Sequence, residues 1–176
     1  HVPNDLSVIE QGIWASKAHG ADVLVRVSRG GYSDYIRPLE LDAAGIMVPH
    51  IMSLADAQNV VRMTRFHPIG RRPVDGGNAD GVYCGVPFND YLRQANEQRM
   101  LIVQIEDPEP LEDLDAIAAL EASRGDLNPV ILIPVAYGSD ADINALNALA
   151  RASATRVQSG DPSSIVSVLE LISSYF

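Results

Sequence analysis

With 176 residues, 47% of them hydrophobic, the chain is long enough for one domain with a buried core, yet short of the roughly 250 residues of a complete (β/α)₈ barrel. Its 13 basic and 23 acidic residues leave a net charge of −10 with no local Lys/Arg cluster to offset it, so phosphate backbones and anionic lipid are repelled, and nucleic acid and membrane surfaces are excluded as partners. The single cysteine, Cys84, rules out an internal disulfide and fits a reducing compartment, the cytoplasm, while the longest apolar run, Val130 to Tyr137, is interrupted by Pro134 and too short for a bilayer. No signal peptide is visible, and the chain opens on His1 without an initiator Met, as a processed product, a trimmed chain or a fragment would.

Apolar runs rich in β-branched residues alternate with longer segments of helical period, the pattern of a parallel sheet with crossover helices. In chain order the periodicity predicts a helix over Leu6–His19, a strand over Val23–Val27, a helix over Tyr32–Leu39 and a strand over Gly45–Pro49. A helix over Leu54–Met63 follows, with Ser53 as its cap and Asp56 in its first turn, where a carboxylate opposes the helix dipole. His67–Pro87 carries five glycines and three prolines among polar residues and is expected to be a long loop, functional or mobile. Beyond it the pattern predicts a helix over Phe88–Arg99, a strand over Leu101–Glu106 and a helix over Leu111–Ala122. The strand Val130–Tyr137, the helix Ile143–Ala152 and a short strand Thr155–Gln158 come next. A last helix over Ser163–Ser174 is opened by Asp161-Pro162, with Pro at its first position.

The run Met100-Leu-Ile-Val-Gln-Ile-Glu106 carries the most information, because a buried parallel strand ending in a carboxylate places that charge where α/β sheets and barrels bind ligands. Arg26, flanked by valines, reads either as a strand-end arginine in an ion pair or as a fixed guanidinium for an oxyanion. Asp42 reads either as a loop cap or as the partner of a histidine. His19, His50 and His67 read as surface or loop residues, and Cys84 as a small hydrophobe or an exposed thiol, with no base at a recognisable spacing. The Gly76–Gly81 loop lacks the Lys-Ser/Thr and the strand-to-helix context of a phosphate loop.

Val25-Arg26-Val27, Leu41-Asp42-Ala-Ala-Gly45-Ile-Met-Val-Pro49, His67-Pro68-Ile-Gly70-Arg71 and Val103-Gln104-Ile-Glu106 occur in an order and at spacings that resemble the HpcH/HpaI family of metal-dependent pyruvate aldolases, from His1 to about Leu120. The resemblance implies a segment of a (β/α)₈ barrel and a lyase that cleaves 4-hydroxy-2-oxo acids to pyruvate and an aldehyde. It also implies a divalent cation, Mg²⁺, Mn²⁺ or Co²⁺, holding the 2-oxo acid so that the enolate is stabilised by a Lewis acid. Glu106 would be a metal ligand, Gln104 and Arg26 would contact the substrate, Arg26 would steady the enolate oxygen, His1 would manage the proton, and Asp42 would join the catalytic set. Against the family's pattern, the first strand, most of the second and the acidic residue before the histidine are absent, as is the Gly-x-x-Asp-Leu-like turn that brings the second metal carboxylate. Asp140, in Ala136-Tyr137-Gly138-Ser139-Asp140, occupies an analogous strand-end place.

Between about Glu112 and Asn128 the text turns Ala/Ser/Asn-rich and carries only Arg151 and Arg156 as later basic residues. From about Arg124 the stretch Asn128-Pro-Val-Ile-Leu-Ile-Pro-Val-Ala-Tyr137 and the closing Val168-Leu-Glu-Leu-Ile-Ser-Ser-Tyr-Phe176 resemble the C-terminal end of a von Willebrand factor A domain, a doubly wound sheet, without the Asp-x-Ser-x-Ser turn of its metal site. The expectation is therefore one α/β domain over 1–176. It would have about five strands in a mainly parallel sheet flanked by helices, built from a partial barrel and a doubly wound fragment joined near 111–128. A homo-oligomer would cover the sheet edges that an incomplete barrel leaves. Three readings stand: the lyase, a non-catalytic scaffold or chimera in which the motifs are relics, and a von Willebrand A-like binding module.

Overall fold

Three short apolar runs set the architecture. In the computed structural model, which describes residues 5–117, 135–137, 143–152 and 158–160, the chain divides into two units, His1–Leu120 and Glu121–Phe176. In the first, β1 (Leu24–Arg26), β2 (Gly45–Val48) and β3 (Met100–Val103) form a parallel sheet in the order β1-β2-β3. The register sets Leu24 beside Gly45 and Met100, and Arg26 beside Met47 and Ile102. β2 lies in the middle; Ile46 and Val48, which share its helix-covered face, are wholly buried, while Met47 on the other face is half-buried. Gly45 opens it because a Cβ there would fall on the Met100 carbonyl and on the Met100 and Leu24 side chains.

The crossovers are helical, as right-handed βαβ units require. α1 (Leu6–Ala18) is capped by Asp5, whose carboxylate accepts from the Val8 N–H at 3.0 Å. α2 (Tyr32–Glu40) links β1 to β2, and its Asp34 reaches back to the Gly31 N–H at 2.7 Å. α3 (Leu54–Thr64) is capped by Ser53, whose hydroxyl accepts from Asp56 N at 3.2 Å, in agreement with the sequence signal. α4 (Phe88–Gln98) precedes β3. Ile13, Tyr35, Leu39, Ala57 and Val60 bring the apolar stripes of α1, α2 and α3 onto Val25, Ile46 and Val48, and Ile51 and Ile117 join the same core.

The Gly/Pro-rich loop 67–87 is organised around a buried ion pair. Arg72 Nη2 donates to Asp80 Oδ2 at 2.6 Å with the two side chains 2% and 0% exposed, and the Tyr91 hydroxyl of α4 donates to the same oxygen at 3.0 Å. The guanidinium carbon lies 4.6 Å from the centre of the Phe66 ring, which meets Tyr91 edge-on at 5.2 Å. A 3₁₀ turn, Ala79–Gly81, carries Asp80 into this position, and Val82, Tyr83 and Cys84 follow in the left-handed region. Burial pushes the Tyr91 phenol up, with Arg72 opposing and Asp80 adding to the rise.

In the second unit β4 (Val135–Tyr137) and β5 (Gln158–Gly160) pair in parallel, Val135 beside Gln158, with α5 (Ile143–Ala152) between them in sequence. The expected sheet of about five strands is therefore corrected: among the described residues there is a sheet of three strands and a separate sheet of two. Apolar runs identify strands but do not say which edges pair. The strand expected over Leu101–Glu106 stops at Val103, so Gln104 and Glu106 stand beyond its end. Its neighbour β2 runs into Pro49, which has no N–H, and into His50 at φ 52, so the regular ladder ends there. The helix expected from Leu111 begins as a 3₁₀ turn, Glu109–Asp113, and is helical over 114–117. The expected helix Ser163–Ser174 lies outside the described residues.

Asp80→Ala leaves a buried guanidinium without its carboxylate and is expected to lower the unfolding free energy by about 3 kcal/mol. In denaturant titrations the double change Arg72→Met with Asp80→Leu should recover most of that loss. Because the folded state holds the Tyr91 proton more tightly than the unfolded chain, the associated stability is complete below about pH 10 and declines as pH rises further. Melting temperatures measured across the alkaline range should fall less steeply in Tyr91→Phe.

Candidate active site

Parallel strands of matched register end at one level, and the residues that follow them meet there. β1 ends on Arg26, β2 on Val48 and β3 on Val103, and the bonds Val27 N to Met47 O and Gln104 N to Val48 O, at 3.0 and 2.9 Å, carry the ladder to its limit. Arg26 Nε donates to Gln104 Oε1 at 2.7 Å, and Arg26 Nη2 lies 3.5 Å from Glu106 Oε1. Beyond Pro49 the left-handed His50 turns its own N–H onto Glu106 Oε1 at 3.2 Å, while Ile51 N donates to the Gln104 carbonyl at 3.1 Å. The His50 ring approaches Asp107 Oδ2 at 2.8 Å through Nδ1 and Glu106 Oε1 at 3.5 Å through Nε2.

The group thus holds a guanidinium, an amide, two carboxylates and an imidazole at the C-terminal end of three parallel strands. Arg26 and Glu106 are each 35% exposed, so their attraction is screened by water and contributes little to stability. Its value is positional: Gln104 fixes the plane of the guanidinium, and the His50 N–H fixes one oxygen of Glu106. Such an arrangement can bind a small anion rich in oxygen and steady negative charge that develops on it.

Of the residues singled out from sequence, the structure brings Arg26, Gln104 and Glu106 together. Asp42 stands apart from them. It precedes β2, at the opposite end of the strands, with φ 71, and its carboxylate is held by Arg99 and Lys17. Arg99 also donates to Ala43 O at 2.8 Å, which ties the entry of β3 to that of β2. His1 and Asp140 lie outside the described residues. His50, read from the sequence as a surface or loop residue, is exposed in the turn after β2, and it joins this group with Asp107, which the sequence reading did not single out. The available signal was register, since positions just past the ends of β2 and β3 fall at one level.

Glu106 and Gln104 offer the oxygen donors that a hard divalent cation prefers, but the Gln104 oxygen already accepts from Arg26 and one Glu106 oxygen from His50 N. The second Glu106 oxygen takes no protein hydrogen bond among the described residues, which fits it as one metal ligand. Among those same residues no group of three or more His, Cys, Asp or Glu side chains is placed to hold a metal ion.

Residues 4–135 match the HpcH/HpaI aldolase/citrate lyase family. The chain is similar to the hydroxypyruvate/pyruvate aldolase of Pseudomonas aeruginosa, at 34% identity over 125 residues, 71% of this chain and 46% of that protein. It is also similar to the 2-keto-3-deoxy-L-rhamnonate aldolase of Salmonella gallinarum, at 30% identity over the same length and coverage. The chain thus spans about half the length of these curated relatives. Among solved structures, an HpcH/HpaI aldolase/citrate lyase family protein from Burkholderia cenocepacia J2315 aligns with a TM-score of 0.71 and 26% identity, over 97% of this chain and 72% of that one.

The position of Asp42 yields a test. Asp42→Ala removes the carboxylate between Lys17 and Arg99 and is expected to cost about 1–2 kcal/mol in chemical denaturation, allowing for partial exposure. Ligand binding at Arg26 and Glu106, followed by calorimetry, should be unchanged.

Proposed function

The chain belongs to the HpcH/HpaI aldolase/citrate lyase family, and on that premise we propose that it is a carbon–carbon lyase, cleaving a 4-hydroxy-2-oxo acid to pyruvate and an aldehyde. The observation that carries this reading is the Arg26 guanidinium, held by Gln104 at 2.7 Å and standing beside Glu106 at the C-terminal end of the sheet. In the cleavage the C3–C4 bond breaks and its electron pair passes to C3 and the C2 oxygen as the enolate of pyruvate. The C4 hydroxyl loses its proton as the aldehyde carbonyl forms, and the enolate then takes a proton at C3.

Arg26 donates to the oxygen on which charge develops, and Gln104 keeps that donor in place so that little reorganisation accompanies the charge. His1, on the resemblance, takes the C4 hydroxyl proton and returns a proton at C3. His50 positions Glu106 through its backbone N–H, and Asp107 holds the His50 ring. A divalent cation, Mg²⁺, Mn²⁺ or Co²⁺, bound at Glu106 would supply Lewis-acid stabilisation of the same enolate. Asp140 is proposed as a further carboxylate ligand on sequence grounds alone.

The family match runs to residue 135 and so covers the 111–128 stretch where a join was expected. Two observations favour a second reading, a folded scaffold without turnover: the donors already on Glu106 and the lack of a three-ligand cluster among the described residues.

Pyruvate release from 4-hydroxy-2-oxopentanoate, coupled to lactate dehydrogenase in the presence of each cation, decides between the two. The lyase reading expects metal-dependent turnover that falls about 10²–10³-fold in Arg26→Ala and disappears in Glu106→Ala. A cooperatively melting protein with no turnover under any of the three cations would leave the scaffold.

A further inference from the structure

The glycine-rich loop 67–87 contains both Asp–Gly dipeptides of the chain, Asp75–Gly76 and Asp80–Gly81. An aspartate followed by glycine is chemically vulnerable, because the glycine's backbone nitrogen can approach the carboxyl carbon with no Cβ in the way. The fold treats the two in opposite ways. Asp80 is closed off: its side chain is 0% exposed, Arg72 and Tyr91 hold one carboxylate oxygen, and Gly81 N donates to Asn78 O at 3.1 Å. Gly81 is fixed by packing as well, since a Cβ on it would come within 2.5 Å of the Gly76 carbonyl oxygen.

Asp75 is open. It is exposed, and Gly77 N donates to its Oδ1 at 3.0 Å, which keeps the carboxyl folded back along the chain that follows. Gly76 N, the nitrogen that would attack that carboxyl, makes no hydrogen bond among the described residues. Nor does the fold require a glycine at this position. The φ of Gly76 lies outside the left-handed region, and a Cβ on it would meet nothing within 4 Å.

We propose that Asp75 is a site of spontaneous covalent modification, converting to isoaspartate in the folded protein, while Asp80 is protected. The Gly76 nitrogen forms a bond to Asp75 Cγ. One carboxylate oxygen leaves as water, taking the Gly76 N–H proton and one proton from solvent, and a cyclic imide remains. Water then adds back: at Cγ it breaks the new bond and restores aspartate, whereas at the Asp75 main-chain carbonyl carbon it breaks the original peptide bond and leaves isoaspartate. No oxidant or other reactant is consumed, and the mass of the chain is unchanged. The backbone now runs through Cβ and Cγ, so the path from Asp75 Cα to Gly76 N gains one atom. That atom enters where the loop closes on itself, because the Gly76 carbonyl accepts from Cys84 N at 2.7 Å and Gly81 packs against the same carbonyl. Isomerisation therefore pulls Gly76 O away from Cys84 N and loosens the turn.

The test incubates the whole chain for weeks at neutral pH and body temperature, in buffer and in urea, and locates isoaspartate by peptide mapping and by methylation with an isoaspartate-specific methyltransferase. In urea the two dipeptides are expected to convert at similar rates. In buffer, conversion at Asp75 should exceed that at Asp80 by about 10²-fold, since Asp80 reacts only from states in which its buried ion pair has opened. Gly76→Ala, which the packing admits, should lower conversion at Asp75 about tenfold and leave the melting temperature of the fresh protein unchanged. Hydrogen exchange at the Cys84 amide should be faster in the aged parent than in the fresh one, and unchanged on ageing in Gly76→Ala. Isoaspartate that forms at Asp75 in urea but not in buffer, or equally at the two sites in buffer, would overturn the assignment. Modification at Asp75 with exchange at Cys84 unaltered would overturn its effect on the loop.

Discussion

Everything at the candidate site depends on the parallel register of β1, β2 and β3. A shift of one residue in any of the three would turn its side chains to the other face and separate Arg26 from Gln104 and Glu106. The register is held at both ends of the sheet. At the entry, Gly45 admits the Met100 backbone at a distance no side chain would allow, and Arg99 ties Ala43 and Asp42 together. At the exit, Pro49 and the left-handed His50 end the ladder and turn the chain across the strand ends, so that one backbone N–H meets Glu106 and the next meets Gln104.

This division of labour accounts for the distribution of charge in the first unit. The network of Lys17, Asp42 and Arg99 lies where strands begin, where it braces the sheet. Arg26, Glu106, His50 and Asp107 lie where strands end, partly exposed and mutually bonded at distances that leave room for a ligand to compete. The Arg72–Asp80 pair is a third kind: buried, stacked on Phe66 and capped by Tyr91, it gives a glycine-rich loop a core of its own. The same residue types thus brace, bind or fill according to depth and to which end of the sheet they occupy.

Much of the first unit was legible in the sequence, because its strands read as apolar runs and the start of α3 carries Ser53 as a cap. The grouping of Arg26, Gln104 and Glu106 was legible through motif order. Asp42 was not, since a carboxylate before a strand looks the same on paper whether it meets a histidine or two cations. His50 is the surface residue the sequence suggests, but its contacts were out of reach there: nothing local marks them, and they come from the turn after Pro49 and from carboxylates 56 and 57 residues away. Sheet membership lay out of reach as well, because periodicity reveals that Val135–Tyr137 is a strand without revealing that its partner is Gln158–Gly160.

The account's central claim is that the strand ends form a working anion site built on Arg26 and Glu106. The measurement that tests it most directly is a calorimetric titration with oxalate, which mimics the planar enolate of pyruvate, in the presence of Mg²⁺, Mn²⁺ or Co²⁺. The account predicts saturable, cation-dependent binding that is lost in Glu106→Ala and weakened in Arg26→Ala. A protein that melts cooperatively yet binds no oxalate with any of the three cations would contradict it.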